Sequence, residues 1–129
     1  MSWTKHKGTN LYDCQWDGYI SENYPQWLSK DFKGNPICTK NVEKPHFYNT
    51  ICLNSPYREY FKEHIIDVIE SVGCENIDGF FMDILFAVDC SCDYCTEKMK
   101  NLNIDINIKE ERLAYSNIML NEFRKEVTD

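Results

Sequence analysis

The clearest hydrophobic pattern of the chain lies between residues 56 and 72. Apolar side chains recur there at spacings of three and four residues, at Tyr57, Phe61, Ile65, Val68 and Val72. This period predicts an amphipathic α-helix over residues 56–72. Ser55 is expected as the N-cap, and Pro56 at the first helical position, where its missing N–H costs nothing. Gly73 is expected to end the helix.

The second half of the chain adds a short apolar run and two further helical patterns. Residues 77–82 (Ile-Asp-Gly-Phe-Phe-Met) have the length and composition of a strand buried on both faces. A helix is expected from Cys95 to Leu102. Another is expected from near Asn107, with Glu110 completing a capping box. The apolar stripe of this last helix consists of Leu113, Leu120, Phe123 and Val127. Helix, buried strand, loop and helix in this order predict an α/β fold with a parallel sheet.

The first fifty residues show little sustained period and many aromatic side chains. The run Lys33-Gly34-Asn35-Pro36 predicts a turn, because glycine tolerates positive φ and proline stops a ladder or helix. Long aromatic loops of this kind are more often substrate-facing than a core by themselves. We therefore expect this part to contribute to a binding surface.

Composition narrows the classes of protein. The chain has 129 residues, of which 43% are hydrophobic, and this is enough for one packed domain over residues 1–129. The net charge of −7 argues against nucleic acid, whose phosphates require a clustered basic face. No run approaches the roughly 20 apolar residues of a membrane span. The N-terminal residues carry no apolar stretch typical of a signal peptide, so a cytoplasmic location is expected.

Four of the seven cysteines form the strongest chemical signal. Cys90, Cys92 and Cys95 form a C-x-C-x-x-C turn, and Cys52 lies upstream. Zinc prefers four thiolates in a tetrahedron, so the pattern predicts a structural Zn²⁺ site. A redox pair made by Cys92 and Cys95 is the alternative, because a helix N-terminus lowers a thiol pKa. The other three cysteines are expected to be small buried hydrophobic residues.

Asp83 directly follows the apolar run 77–82, at the strand end where α/β folds place their ligands. A catalytic carboxylate and an ordinary loop cap are both compatible with this position. His46 and Trp16 are candidates for substrate binding, although a structural role fits each of them too; Trp27 shares that ambiguity. Asp89 and Asp93 flank the thiolates and are expected to be solvated or to orient backbone groups.

Three segments together resemble a known family. They are the run from Cys52 through Leu-Asn-Ser-Pro to Arg58, the run from Asp78 through Gly-Phe-Phe-Met to Asp83, and the C-x-C-x-x-C turn. Over roughly residues 45–100 the chain resembles glycosyl hydrolases of the hypothetical glycosyl hydrolase 6 type, and it is similar to the zinc-cluster region of family 42 β-galactosidases. Those β-galactosidases are (β/α)8 barrels with one cysteine before an Asn/Thr-Ser-Pro helix start and a C-x-C-x-x-C after the fourth strand.

The resemblance implies a glycoside-hydrolase-like protein that acts on O-glycosidic bonds of a carbohydrate. Family 42 enzymes end this strand with an Asn-Glu pair, whereas Met82-Asp83 stands here, which is closer to the α-fucosidase-like arrangement with an Asp nucleophile. A full barrel needs about 250 residues, so the resemblance implies a TIM-barrel segment and a second carboxylate from elsewhere. A non-catalytic, zinc-stapled carbohydrate-binding or scaffold remnant is the alternative. The implied partner is a carbohydrate, with no nucleic acid or membrane, and homo-oligomerisation stays open.

Overall fold

The computed structural model describes residue 20 and residues 23–37, 49–82 and 85–129. These residues form three α-helices and two short 3₁₀ turns: α1 (Tyr57–Val72), α2 (Asp93–Asn101), α3 (Lys109–Thr128), and turns at Pro25–Trp27 and Cys74–Asn76. The described part of the chain is mainly helical and contains no strand beyond isolated bridges.

Helix α1 confirms the first predicted helix with a shift of one residue at its start. Pro56 occupies the N-cap position and Tyr57 is the first helical residue. Ser55 still serves the helix start, because its hydroxyl oxygen accepts a hydrogen bond from the Tyr57 N–H at 3.3 Å. At the other end Gly73 has φ 90°, and its N–H donates to the carbonyl of Ile69 at 2.9 Å. A residue with a Cβ would be strained in this conformation.

The other two helices also confirm the predicted elements, with different ends. α2 begins two residues before the predicted Cys95, and α3 begins two residues after the predicted Asn107. The capping box with Glu110 is wrong, because Ile108 is the N-cap and no side chain caps the helix. The turn before α3 is instead held by Glu111, whose Oε2 accepts the N–H of Asp105 at 2.7 Å.

Two short segments pair before α1. Leu28 bridges to Ile51 and Lys30 bridges to Pro36, each in antiparallel orientation. The predicted turn is present: Gly34 has φ 89°, and Asp31 Oδ1 accepts the N–H of Asn35 at 2.9 Å. This small paired region ends at Cys52, whose N–H donates to the carbonyl of Trp27 at 2.7 Å.

Residues 77–82 form no strand, contrary to the prediction for this apolar run. Ile77 has extended backbone angles (φ −116°, ψ 117°), but within the described residues the backbone groups of residues 78–82 make no backbone hydrogen bond. A strand exists only when a neighbouring strand supplies its ladder. The predicted burial is also absent from this part, since Phe80 is 50% exposed and Phe81 is 89% exposed.

Two buried clusters make the core. The first, here called the sulfur core, consists of Cys52, Cys90, Cys92, Cys95, Met99, Tyr115 and Met119. The second, here called the aromatic cluster, consists of Ile20, Trp27 and Tyr57. Leu53 and Tyr94 pack against both clusters and so join them. Helices α1 and α3 also meet directly, with the rings of Phe61 and Phe123 5.7 Å apart.

Leu120 and Phe123 of the predicted apolar stripe are buried, while Leu113 and Val127 are partly buried. Within the described ranges, no helix combines the length and the apolar character needed to cross a membrane.

Candidate metal centre

The four cysteines predicted as ligands lie together at the centre of the sulfur core. Their Sγ atoms all lie within 4.8 Å of one another. The sulfur of Cys52 is 3.4 Å from that of Cys95 and 3.4 Å from that of Cys92. A disulfide requires about 2.05 Å, so all four are free thiols, and their exposed fractions are only 0–3%.

Each cysteine is placed by a different local structure. Cys52 ends the paired segment before α1, and its carbonyl accepts the N–H of Ser55 at 3.1 Å, which closes the turn into the helix. Cys92 is the N-cap of α2, with φ −67° and ψ 167°, and Cys95 lies in the first turn of that helix. Cys90 precedes them in a non-helical segment. The centre therefore joins the start of α1 to the start of α2.

The segment before the C-x-C-x-x-C turn is fastened to α3. Arg112, which is 6% exposed, binds Asp89 through two bonds: Nε to Oδ1 at 2.7 Å and Nη2 to Oδ2 at 2.9 Å. Such a two-point pair fixes orientation as well as position. Ser116 donates its hydroxyl to the carbonyl of Val88 at 2.5 Å. The expectation that Asp89 is solvated or only orients backbone groups is therefore wrong.

A third contact ties the same loop to the paired region. The Ser91 N–H donates to the carbonyl of Lys30 at 2.6 Å. The guanidinium carbon of Arg112 also lies 4.8 Å from the centre of the Phe32 ring, a cation–π distance. The cysteine loop is thus held from two sides, by α3 and by residues 30–32.

The pKa is lowered for two of the four thiols and raised for the other two. Hydrogen bonding to Cys52 holds the pKa of Cys90 and the pKa of Cys92 below the usual thiol range. The bonds to Cys90, Cys92 and Cys95, together with burial, raise the pKa of Cys52. For Cys95 the bond with Cys52 lowers the pKa, but those with Cys90 and Cys92 and burial outweigh it and raise it. Without a cation, the four buried thiols cannot all ionise together.

The donor set fits a tetrahedral metal ion. With metal–sulfur bonds of about 2.3 Å, a regular tetrahedron has sulfur–sulfur edges of about 3.8 Å. The sulfur of Cys52 lies 3.4 Å from two of the other sulfurs, and no pair of the four is more than 4.8 Å apart, so the four can surround one ion. A bound dication stabilises all four thiolates at once, because ligation deprotonates a thiol outright. Cys52, Cys90, Cys92 and Cys95 are therefore a group that could hold a metal ion.

The other predicted site residues have different outcomes. Asp83, His46 and Trp16 lie outside the described residues. Trp27 belongs to the aromatic cluster, where it stacks on Tyr24 with ring centres 4.1 Å apart. The core alternative is therefore the correct one for Trp27. The lone Cys74 is exposed, which contradicts the expectation that it is buried.

Sequence reasoning did not identify Asn54 as part of the centre. Its side-chain amide donates to the sulfur of Cys95 at 3.3 Å and to the hydroxyl of Tyr115 at 2.9 Å. Its position two residues after Cys52 was the available signal. Arg112 gave no comparable signal, since its partner Asp89 is 23 residues away in sequence.

The chain belongs to the hypothetical glycosyl hydrolase 6 family, whose model matches residues 7–84, more than half of the chain. This match includes Cys52 and Asp83 and ends before Cys90.

A solved structure supports the same class. The α-L-fucosidase isoenzyme 2 from Paenibacillus thiaminolyticus is similar to 81% of this chain, with a TM-score of 0.68 and 26% sequence identity. The chain spans 15% of the length of that fucosidase. No curated protein matches the sequence significantly.

Proposed function

We propose that the chain is a glycoside-hydrolase segment that acts on O-glycosidic bonds, with α-L-fucosides as the first substrate class to test. The observation that carries this proposal is the likeness to the fucosidase, which extends over 81% of the chain at a TM-score of 0.68. The family match over residues 7–84 supports the same reaction class independently.

The proposed architecture is α/β, with residues 77–82 as one strand of a partial (β/α)8 barrel. Within the described part of the chain, the backbone groups of residues 78–82 make no backbone hydrogen bond, and Phe80 and Phe81 are exposed. Both observations support the proposal, because a barrel strand is covered on one face by helices and is paired on both edges. In the proposed barrel, the neighbouring strands come from outside the described residues.

The proposed metal is structural Zn²⁺. Thiolate sulfur in a tetrahedral set of four favours zinc or iron over hard cations. Four sulfur ligands leave no open position, so the ion would supply rigidity rather than a bound water. Cys90, Cys92 and Cys95 would then fix the loop that follows Asp83 and hold it against the start of α1. Free thiols throughout the described cysteines also support a reducing compartment such as the cytoplasm.

In this proposal Asp83 is the strand-end carboxylate, as nucleophile or as acid/base. His46 and Trp16 stay predictions for sugar contact, through a hydrogen bond and through an aromatic face. A retaining mechanism needs a second carboxyl group about 5–5.5 Å away, and an inverting one needs about 6.5–9.5 Å. That partner is expected outside the part of the chain described here.

Hydrolysis of 4-nitrophenyl α-L-fucoside tests the proposal, with Asp83→Asn as the variant and Asp78→Asn as its matched control. Both substitutions remove one charge from the same short segment. Turnover that is lost with Asp83→Asn and kept with Asp78→Asn supports the assignment. Turnover that survives in Asp83→Asn overturns the role of Asp83.

The second candidate is a non-catalytic carbohydrate-binding or scaffold module. A glycosidase uses a pair of carboxyl groups, and the sequence offers a candidate for only one of them, Asp83, which favours this second candidate. Isothermal titration with L-fucose separates the two. Binding without turnover selects the second candidate. If the chain shows no binding and no turnover, carbohydrate recognition by this chain is overturned.

A further inference from the structure

Asn54 makes three contacts around the cysteine cluster. Its backbone N–H donates to the sulfur of Cys52 at 3.4 Å. Its side-chain Nδ2 donates to the sulfur of Cys95 at 3.3 Å and to the hydroxyl oxygen of Tyr115 at 2.9 Å. An amide nitrogen carries two hydrogens, so these two partners use both of them. The amide is therefore held with its nitrogen, not its oxygen, toward the sulfur.

The residues that flank Asn54 in the chain and across the cluster are themselves held by contacts. Ser55 closes the turn by donating its N–H and its hydroxyl to the carbonyl of Cys52, at 3.1 and 2.5 Å. Tyr115 is 7% exposed and belongs to the sulfur core. The donor geometry is thus set by the start of α1 and by α3.

These contacts would offset the negative charge of a metal-bound cysteine cluster. Four thiolates around a dication carry a net charge of −2, buried in a core of methionine and aromatic side chains. Such a charge is costly unless N–H donors face the sulfurs, and hydrogen bonds to ionised acceptors are about twice as strong as neutral ones. Asn54 supplies N–H donors to two of the four sulfurs, those of Cys52 and Cys95, which are the first and the last of the four cysteines in the sequence.

We propose that Asn54, oriented by Tyr115, is a positioning residue that sets the metal affinity of the four-cysteine centre. The inference rests on the proposed metal binding and adds a residue outside the ligand set. Partners beyond the ligands are typically worth 10–100-fold in metal affinity. We therefore expect at least a tenfold loss of affinity in Asn54→Ala and a larger loss in Asn54→Asp, which also places a negative charge beside the thiolates.

Cobalt titration of the whole chain is the test. Co²⁺ bound by four thiolates has sulfur-to-metal charge-transfer bands that report the energy of the sulfur electrons. Loss of an N–H donor raises that energy, so the bands should move to longer wavelength, most in Asn54→Asp and least in Tyr115→Phe. Zn²⁺ affinity follows from competition with a chromophoric chelator. Asn121→Asp adds the same charge at an exposed position of α3 and should leave both readouts unchanged.

The outcomes separate the two proposals. Wild-type protein that binds neither Co²⁺ nor Zn²⁺ overturns the metal centre itself. Wild-type binding with unchanged affinity and spectrum in the Asn54 variants overturns the role of Asn54 alone. If the Asn54 variants fail to fold, Tyr115→Phe decides, because it keeps the ring and removes only the hydroxyl. An unshifted spectrum in Tyr115→Phe then contradicts the proposal.

Discussion

The sulfur core and the segment 77–82 differ in how many packing and hydrogen-bond partners they have among the described residues. In the sulfur core, four cysteines lie within 4.8 Å of one another, and α3 fastens the adjacent loop through Arg112 and Ser116. In the segment 77–82, Phe81 is 89% exposed, and the backbone groups of residues 78–82 have no backbone hydrogen-bond partner within the described part. The first region is closed by local and α3 contacts; the second depends on neighbours from elsewhere.

The two regions therefore depend on different sources of order. A metal centre can order a loop without a sheet, because metal binding itself supplies folding free energy, about 10 kcal/mol or more in small zinc domains. A barrel strand has no such independent support and is defined by its neighbours. We therefore expect the sulfur core to respond to metal, and the segment 77–82 to respond to barrel contacts.

The largest expected effect comes from metal removal. Chelation, or Cys92→Ser, should deprotect the amides of residues 88–101 and of the turn after Cys52 by several orders of magnitude in hydrogen exchange. Amides of residues 78–82 should exchange quickly in either state, because none of them has a backbone hydrogen-bond partner among the residues that the structure describes. Cys74→Ser removes an exposed thiol and should change neither region. If chelation increased hydrogen exchange equally in both regions, the claim that only the sulfur core depends on the metal would be contradicted.

The next effect separates two large apolar residues, one from each region. Met99 is fully buried in the sulfur core, so Met99→Ala should cost about 3 kcal/mol of unfolding free energy through the cavity it leaves. Phe81→Ala should cost less than about 0.5 kcal/mol, since surface substitutions rarely cost more. Denaturant unfolding of the metal-bound protein measures both. A similar cost for the two residues would show that Phe81 is packed in solution.

A smaller effect tests the fastening of the cysteine loop. Asp89→Asn leaves the buried Arg112 without its carboxylate, and we expect a loss of about 2 kcal/mol, reduced from the fully buried case because Asp89 is 25% exposed. The matched control is Glu126→Gln, which breaks the more exposed pair with Arg58 and should cost about 0.5 kcal/mol. Thermal unfolding ranks the two, and a reversed order would contradict the role given to Asp89.

Local sequence patterns predicted the elements whose signals are local. The period of α1 and the spacing of Cys90, Cys92 and Cys95 each depend on residues close together in the chain. The gathering of Cys52 with them was also predictable, since a fourth thiolate completes the shell that three begin. The pair Arg112–Asp89 could not be predicted, because its partners meet only after α3 packs against the loop.

The apolar run 77–82 shows the opposite limit. Its composition states that these residues prefer burial, but composition does not say which segments would cover them. The same holds for Asp83, whose predicted role depends on a second carboxylate that no local pattern identifies. The site chemistry was thus predictable where one turn carries three ligands and the coordination number requires a fourth, and unpredictable where no such rule identifies the distant residue.

The central claim is that Cys52, Cys90, Cys92 and Cys95 together bind one structural zinc ion. The most direct test is the metal content per chain, measured by native mass spectrometry on protein purified without added metal. We expect close to one zinc per chain, lost in Cys92→Ser and kept in Cys74→Ser. A metal-free chain with a reversible Cys92–Cys95 disulfide would contradict it and favour a redox role.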